Sequence, residues 1–214
     1  MIGLRIEVPI ACWRQSYARE YAESYPVPPP ATVYGMLLSM VGEINRYSHC
    51  GCKIAIALLS APKSSTLLRT VRRVKVAKEE FAAGNARPDF QVLLTGIDLG
   101  IWVDFGGDVG NPKLLERLRE AILRPESVSR FGGVSLGESR DLINSVLLWR
   151  DEFEADICQW LILDRNGYLA LPCWVDHAGS KKTRWQRYVL ADAGDFLLAD
   201  VLAGVDCWSA IGPE

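Results

Sequence analysis

The stretch "YPVPPPATVYGMLLSMVGE", residues 25–43, holds four prolines and then a run that reads as a helix. Pro28, Pro29 and Pro30 set an extended approach, because proline is tolerated at the first helical position and disfavours helix before it. Val33, Met36, Leu37, Met40 and Val41 give an apolar side to a helix predicted to reach about Glu43. Ala31, Gly35, Ser39 and Gly42, spaced by four, four and three, form a second stripe of small residues. A glycine inside a helix costs roughly 1 kcal/mol relative to alanine. Two in one element predict that another backbone comes close to this face.

Working outward, residues 2–10, "IGLRIEVPI", alternate apolar and polar and read as a strand. In the connection 11–26, Tyr17, Tyr21 and Tyr25 fall four apart, which suits a short helix covering the core. "KIAIALLSAP", 53–62, reads as a buried strand, 64–92 as a long excursion, and "FQVLLTGIDLGIWVDF", 90–105, as one long or two short strands. A second helix opens with Asn111 as N-cap and Pro112 at its first position, with Leu114, Leu115, Leu118 and Ile122 apolar. A glycine-rich loop, 131–139, precedes a strand-like run, and "WLILDRNGYLALPCWV", 160–175, reads as a hairpin turning at Asn166-Gly167. This order predicts an α+β, ferredoxin-like domain over 1–150 carrying an insertion. The acidic cluster Asp151, Glu152, Glu154 and Asp156 marks the expected boundary to a small β appendage, 151–214.

The 214 residues suit one large domain, and 49% hydrophobic composition is enough for a core. No run approaches the ~18 apolar residues of a membrane span, and "MIGLRIEVPI" has no signal-peptide pattern. No membrane association is therefore expected. Cysteines at 12, 50, 52, 158, 173 and 207 read as reduced thiols in a cytoplasmic protein. The net charge of −2 hides local bias. From Lys63 to Lys78 there are six basic residues and no acid; from Ala178 to Leu190 there are four, again with no acid. The segment from Ala191 to Glu214 has five acids and no base.

The run "RTVRRVKVAK" alternates charged positions with Val71, Val74 and Val76, as a ribbon reaching out of a sheet would. Arg69, Arg72, Arg73, Lys75 and Lys78 then make a phosphate clamp, against the plainer reading of a solvated face. "KKTRWQRY" adds Lys181, Lys182, Arg184 and Trp185, a cationic set with an aromatic ring able to stack on bases, or an edge strand guarded by lysine. "FGGVSLGES" could cradle a phosphate through Gly132, Gly133 and Gly137, but no Lys-Ser/Thr pair follows as in a P-loop, and a plain turn explains the glycines equally well. "HCGC", 49–52, lacks the second ligand pair of a zinc site, so no metal or other cofactor is expected. His49 and His177 are the only histidines, and no catalytic constellation stands out.

The motif "ACWRQSYAREYAESYPVPPPATVYGMLLSMVGE" resembles the N-terminal signature of the Cas-five family of CRISPR-associated proteins, in the RAMP superfamily. "FGGVSLGESRD" resembles that family's glycine-rich segment. The resemblance implies a subunit of a type I Cascade complex that caps the crRNA 5′ handle. It implies Cas-seven type backbone and Cas-eight type large subunits as partners, and target DNA engaged indirectly through the complex. It matches residues 64–92 to an inserted β-hairpin thumb, and Trp13, Arg14, the thumb cations and the loop glycines to the handle contacts. One branch of the family cuts precursor crRNA with a Tyr-Lys-His set. Here Val41 stands at the tyrosine's place and no Lys-His pair exists, which implies a non-catalytic RNA-binding subunit. The alternatives are a metal-independent endoribonuclease and a stand-alone RNA binder of the RRM kind.

Overall fold

The computed structural model describes residues 1–72, 86–176, 182–195 and 197–213. Strand β1 (Ile2–Ala11) forms as its alternation dictates: Ile2, Leu4, Ile6 and Val8 point into the core, and Gly3, Arg5 and Glu7 point to the other face. It pairs antiparallel with β5 (Ala86–Asp104) on one side and β6 (Ser145–Leu148) on the other. Strand β3 (Lys53–Leu58) pairs with the far edge of β5.

Two helices, α1 (Pro30–Met40) and α2 (Leu114–Leu123), bury Val33, Tyr34, Met36, Leu37, Leu114 and Leu118 in the same core as the inward residues of β1, β3 and β5. On the opposite face lies a second apolar cluster. Trp102 packs between Trp149 and Trp160, at centroid distances of 4.5 and 4.9 Å, and α3 (Leu198–Ala203) adds Val201. Gly3 and Gly100 make room for these rings: a Cβ at Gly100 would lie 2.5 Å from the Trp102 ring. Both faces of the sheet centre are therefore covered, and neither offers open aromatic rings to a ligand there.

The remaining strands extend this sheet. Strand β4 (Lys63–Arg72) pairs antiparallel with the first half of β5, from Lys63 opposite Thr95 to Arg72 opposite Ala86. This ribbon leaves the core, with Leu67, Leu68 and Phe90 exposed. Strands β7 (Gln159–Leu163), β8 (Leu169–Val175) and β9 (Thr183–Asp192) continue the sheet beyond β3 through β7. The short strands β2 (Tyr21–Ala22) and β10 (Ser209–Ala210) pair with β5 and β3. Among the described residues this is one ten-stranded, mostly antiparallel sheet ordered β6-β1-β5-β3-β7-β9-β8.

Four expectations change. Residues 11–26 form no helix; the segment folds on itself through an Arg14–Ser24 bridge and the Gln15 N–H to Glu23 carbonyl bond, and β2 stacks Tyr21 on Phe90. Helix α1 stops at Met40 in a Schellman cap: the Gly42 N–H donates to the Ser39 carbonyl and the Glu43 N–H to the Leu38 carbonyl. Helix α2 starts at Leu114, because the Asp108 carboxylate accepts its N–H at 2.7 Å and supplies the cap that Asn111 was expected to provide. The Asn166-Gly167 turn joins β7 to β8, yet these strands do not pair. Strand β9 lies between them, and the Tyr188 backbone fills the space beside Gly167. The acidic cluster 151–156 does not interrupt the sheet, and Leu161, Leu171, Trp174, Tyr188 and Ile211 bury in the first core.

Candidate functional site

Every residue of α1 is buried except Thr32, Gly35 and Ser39. Those three continue to Gly42 as a half-exposed stripe, about 15 Å long at 1.5 Å per helical residue. This stripe is the floor of a groove. One wall is the segment 129–137 leading into the glycine-rich loop; the other is Val175, Pro172 and Trp185 of β8 and β9. Three clefts make up the groove. The first, about 620 Å³, lies between Ile44 and Phe131. It shares Gly35, Ser39 and Arg46 with a middle cleft of about 290 Å³. That cleft shares Thr32 and Gly137 with a third, of about 250 Å³, between Trp13 and Trp185.

Small residues matter here for two different reasons. At Gly42, φ is +67° and a Cβ would sit 2.2 Å from the Ser129 carbonyl oxygen, so a backbone does come close. At Gly35 the expectation fails: the nearest atom to a Cβ is Arg46 Nη1 at 3.8 Å, and the position opens on the groove.

The loop wall is built on Asp141, which is buried. Its Oδ2 accepts the Cys12 N–H at 3.0 Å and the Glu138 N–H at 2.9 Å, tying the end of β1 to the loop. Burial pushes this carboxyl above its ordinary value, against the pull of the two N–H donors. Gly137, at φ +136°, has Asp141 Oδ2 and Trp13 where a side chain would go. The Arg46 guanidinium lies 5.4 Å from the Trp174 ring, donates to the Ala31 carbonyl at 3.3 Å, and is drawn below its ordinary value by burial.

The sequence-predicted residues divide. Trp13, Arg14, Gly137 and Trp185 come together at one end of the groove. Trp13 is 3% exposed and its indole N–H donates to the Leu136 carbonyl at 2.9 Å, so it serves as wall and not as an open stacking ring. Arg14 is at the rim, with Nη2 donating to the Ala18 carbonyl at 2.7 Å. Gly132 is open at φ +73°, and Gly133 packs on Leu142. Arg69 is 3.6 Å from the buried Asp89, so part of its charge is already matched within the ribbon. Arg72 sits at the end of β4, opposite Ala86. Arg73, Lys75, Lys78 and Lys181, with Val74, Val76 and His177, lie outside the described residues. Lys182 is exposed, and Arg184 is turned to the Ala210 carbonyl.

His49 is buried away from the groove. Arg117 Nη1 lies 3.1 Å from its Nε2, and since a guanidinium only donates, Nε2 accepts and Nδ1 carries the proton toward Asp108 at 3.0 Å. Arg117 also pairs with Glu43 at 2.6 Å. This network pins the end of α1 to α2. Among the described residues no three His, Cys, Asp or Glu side chains group as metal ligands, and no helix is long and apolar enough to cross a membrane. Thr32, Arg46, Phe131 and Asp141 were missed from sequence. Only Asp141 left a signal, as a carboxylate four residues after a glycine that needs positive φ.

The fold has known counterparts. A solved chain of a CRISPR RNA-guided surveillance complex superposes with a TM-score of 0.60 at 14% identity, covering 89% of this chain and 90% of that one. A crystal structure of a Cas protein gives a TM-score of 0.49 at 12% identity, over 89% and 94% of the two chains. The CRISPR-associated protein Cas5 of Myxococcus xanthus (strain DK1622) is 44% identical over 190 residues, 87% of this chain and 88% of its own. Residues 1–157 match the model of the family described as CRISPR-associated protein (Cas_Cas5), and the chain belongs to that Cas5 family.

Proposed function

We propose that this protein is a non-catalytic, crRNA-binding subunit of a type I Cascade surveillance complex, acting in the cytoplasm and capping the 5′ handle of the guide. The groove over α1 is the handle's seat in this reading, and the shape of that groove is the one observation that carries it. The groove is continuous, floored by small residues, edged by glycine backbone, and bounded by Phe131 and Trp185 at its two ends. A groove of this kind suits a single strand, whose bases stack on aromatic rings while its backbone follows polar and cationic walls.

The βαββαβ order of β1, α1, β3, β5, α2 and β6, with both helices on one face, supports a ferredoxin-like RAMP core. The β4–β5 ribbon is the thumb, reaching toward a Cas-seven type backbone subunit, with a Cas-eight type large subunit and target DNA meeting the assembled complex. The buried, hydrogen-bonded state of His49 supports the non-catalytic assignment, since a general base must reach a substrate proton.

The test is nuclease protection of the crRNA 5′ end in a complex reconstituted with Gly35→Leu, a side chain that would project into the groove. Loss of protection at the handle is expected. Full protection would overturn the groove as the handle site.

A further inference from the structure

The end of the groove between Trp13 and Trp185 differs from the rest. Its cleft, about 250 Å³, falls below the ~300–1,000 Å³ of pockets that take whole drug-sized ligands. Two of its lining residues are prolines. Pro29 caps α1, and Pro172 lies directly across the β8–β9 ladder from Trp185. That ladder slips register between Pro172 and Trp174. Of seven tryptophans, Trp185 alone is exposed, at 42%. A single exposed aromatic is ordinary on a protein surface. This one lines a cleft that shares Thr32 and Gly137 with the rest of the α1 groove and that Glu138 also lines, its carboxylate held by Gln91 Nε2 at 3.1 Å and Arg140 Nη2 at 3.0 Å.

We propose that this cleft holds one unstacked base of the bound single-stranded RNA, with the Trp185 indole as its stacking platform. The inference rests on the groove as the RNA seat and adds a point of base recognition supplied by the C-terminal strands. A flat apolar face beside proline walls accepts a base ring, while Thr32 and Glu138 meet its polar edge. Between Trp185 and Phe131 at the far end, the floor is mainly small residues, which supports passage of backbone but offers a base no ring to stack on.

The experiment is an abasic scan. Repeat RNA from the chain's own CRISPR array is prepared with one base removed at each position in turn. Binding is measured for the full-length wild type, Trp185→Ala and Trp185→Phe. Stacking of one base on an aromatic ring corresponds to about a tenfold change in affinity. For wild type, one abasic position should lose about tenfold. Trp185→Ala should lose the same factor on intact RNA and nothing more at that abasic position, and Trp185→Phe should retain most of the affinity. Trp185 is exposed, so all three proteins should melt alike. If Trp185→Ala binds intact RNA as wild type does, or if the abasic penalty persists in Trp185→Ala, the pocket is overturned while the groove stands. If wild type does not bind the repeat RNA at all, the handle-seat reading fails, and the pocket with it.

Discussion

At the scale of single residues, two glycines in one motif have opposite roles. Gly35 faces open space, so Gly35→Ala should gain up to about 1 kcal/mol of helix propensity. Gly42→Ala should destabilise, because it combines a left-handed backbone with a Cβ driven onto the Ser129 carbonyl. Thermal melts of the two variants should move in opposite directions; a matching downward shift for Gly35→Ala would mean that the groove floor is closed. Asp141 allows a second contrast. Asp141→Ala leaves the Cys12 and Glu138 N–H groups without their acceptor, a loss of about 1–3 kcal/mol for each one left unsatisfied. Asp141→Asn keeps an oxygen there and removes the charge that burial disfavours. Because the folded carboxyl is raised, its contribution to stability is complete below the ordinary value of about 3.9 and is lost as pH rises through the folded value. Wild type should therefore lose stability relative to Asp141→Asn as pH rises from 3 to 7 in denaturant titrations. A constant gap across that range would show that the carboxylate is not strained by burial.

At the scale of elements, the ribbon carries the charge prediction. Strands β4 and β5 pair over ten residues, Lys63–Arg72 against Ala86–Thr95, and of the alternating run 69–78 only residues 69–72 are among the described residues. Arg69 lies 3.6 Å from Asp89, so part of its charge is already matched and the test is placed on its neighbours. If Arg72, Arg73 and Lys75 meet about three phosphates, replacing all three by alanine should flatten the log–log salt dependence of RNA affinity by about 2, at roughly 0.7 per phosphate on a single strand. An unchanged slope, with normal assembly, would make the ribbon a solvated hairpin. The elements that were legible share a reason: β1 and α1 show their period within one short window, where side chains alternate or repeat every three to four residues. What was not legible depends on distant partners. The cap of α2 comes from Asp108, the strand beside β7 is β9 and not β8, and the tyrosine triplet 17, 21, 25 is overruled by a loop that closes on itself. Within the site, Trp13 and Trp185 were both visible as aromatic rings among cations, but only the fold shows that one is wall and the other open.

At the scale of the whole molecule, the groove belongs to no single part of the chain. Its floor is α1, one wall comes from residues 129–137, and the other from β8 and β9, whose residues lie beyond the 157 that match the family model. The same strands complete the core. Trp174 and Tyr188 are fully buried, Tyr34 and Trp174 pack at 6.2 Å, and Ile211 closes over β3 from the far end of the chain. A chain cut after residue 157 would expose these contacts on α1 and leave the β3 edge that meets β7 unpaired, a hydrophobic edge open to association. Losing a single large buried aromatic typically costs about 3–5 kcal/mol, against a total stability of about 5–15 kcal/mol for a domain. Removing Trp160, Trp174 and Tyr188 together exceeds the lower part of that range. The truncated chain should therefore show no cooperative thermal transition and should aggregate, while the full chain melts in one step. A soluble 1–157 fragment with a sharp transition and undiminished affinity for repeat RNA would separate the C-terminal strands from both fold and groove, and would leave the handle seat to the α1 face and the glycine loop alone.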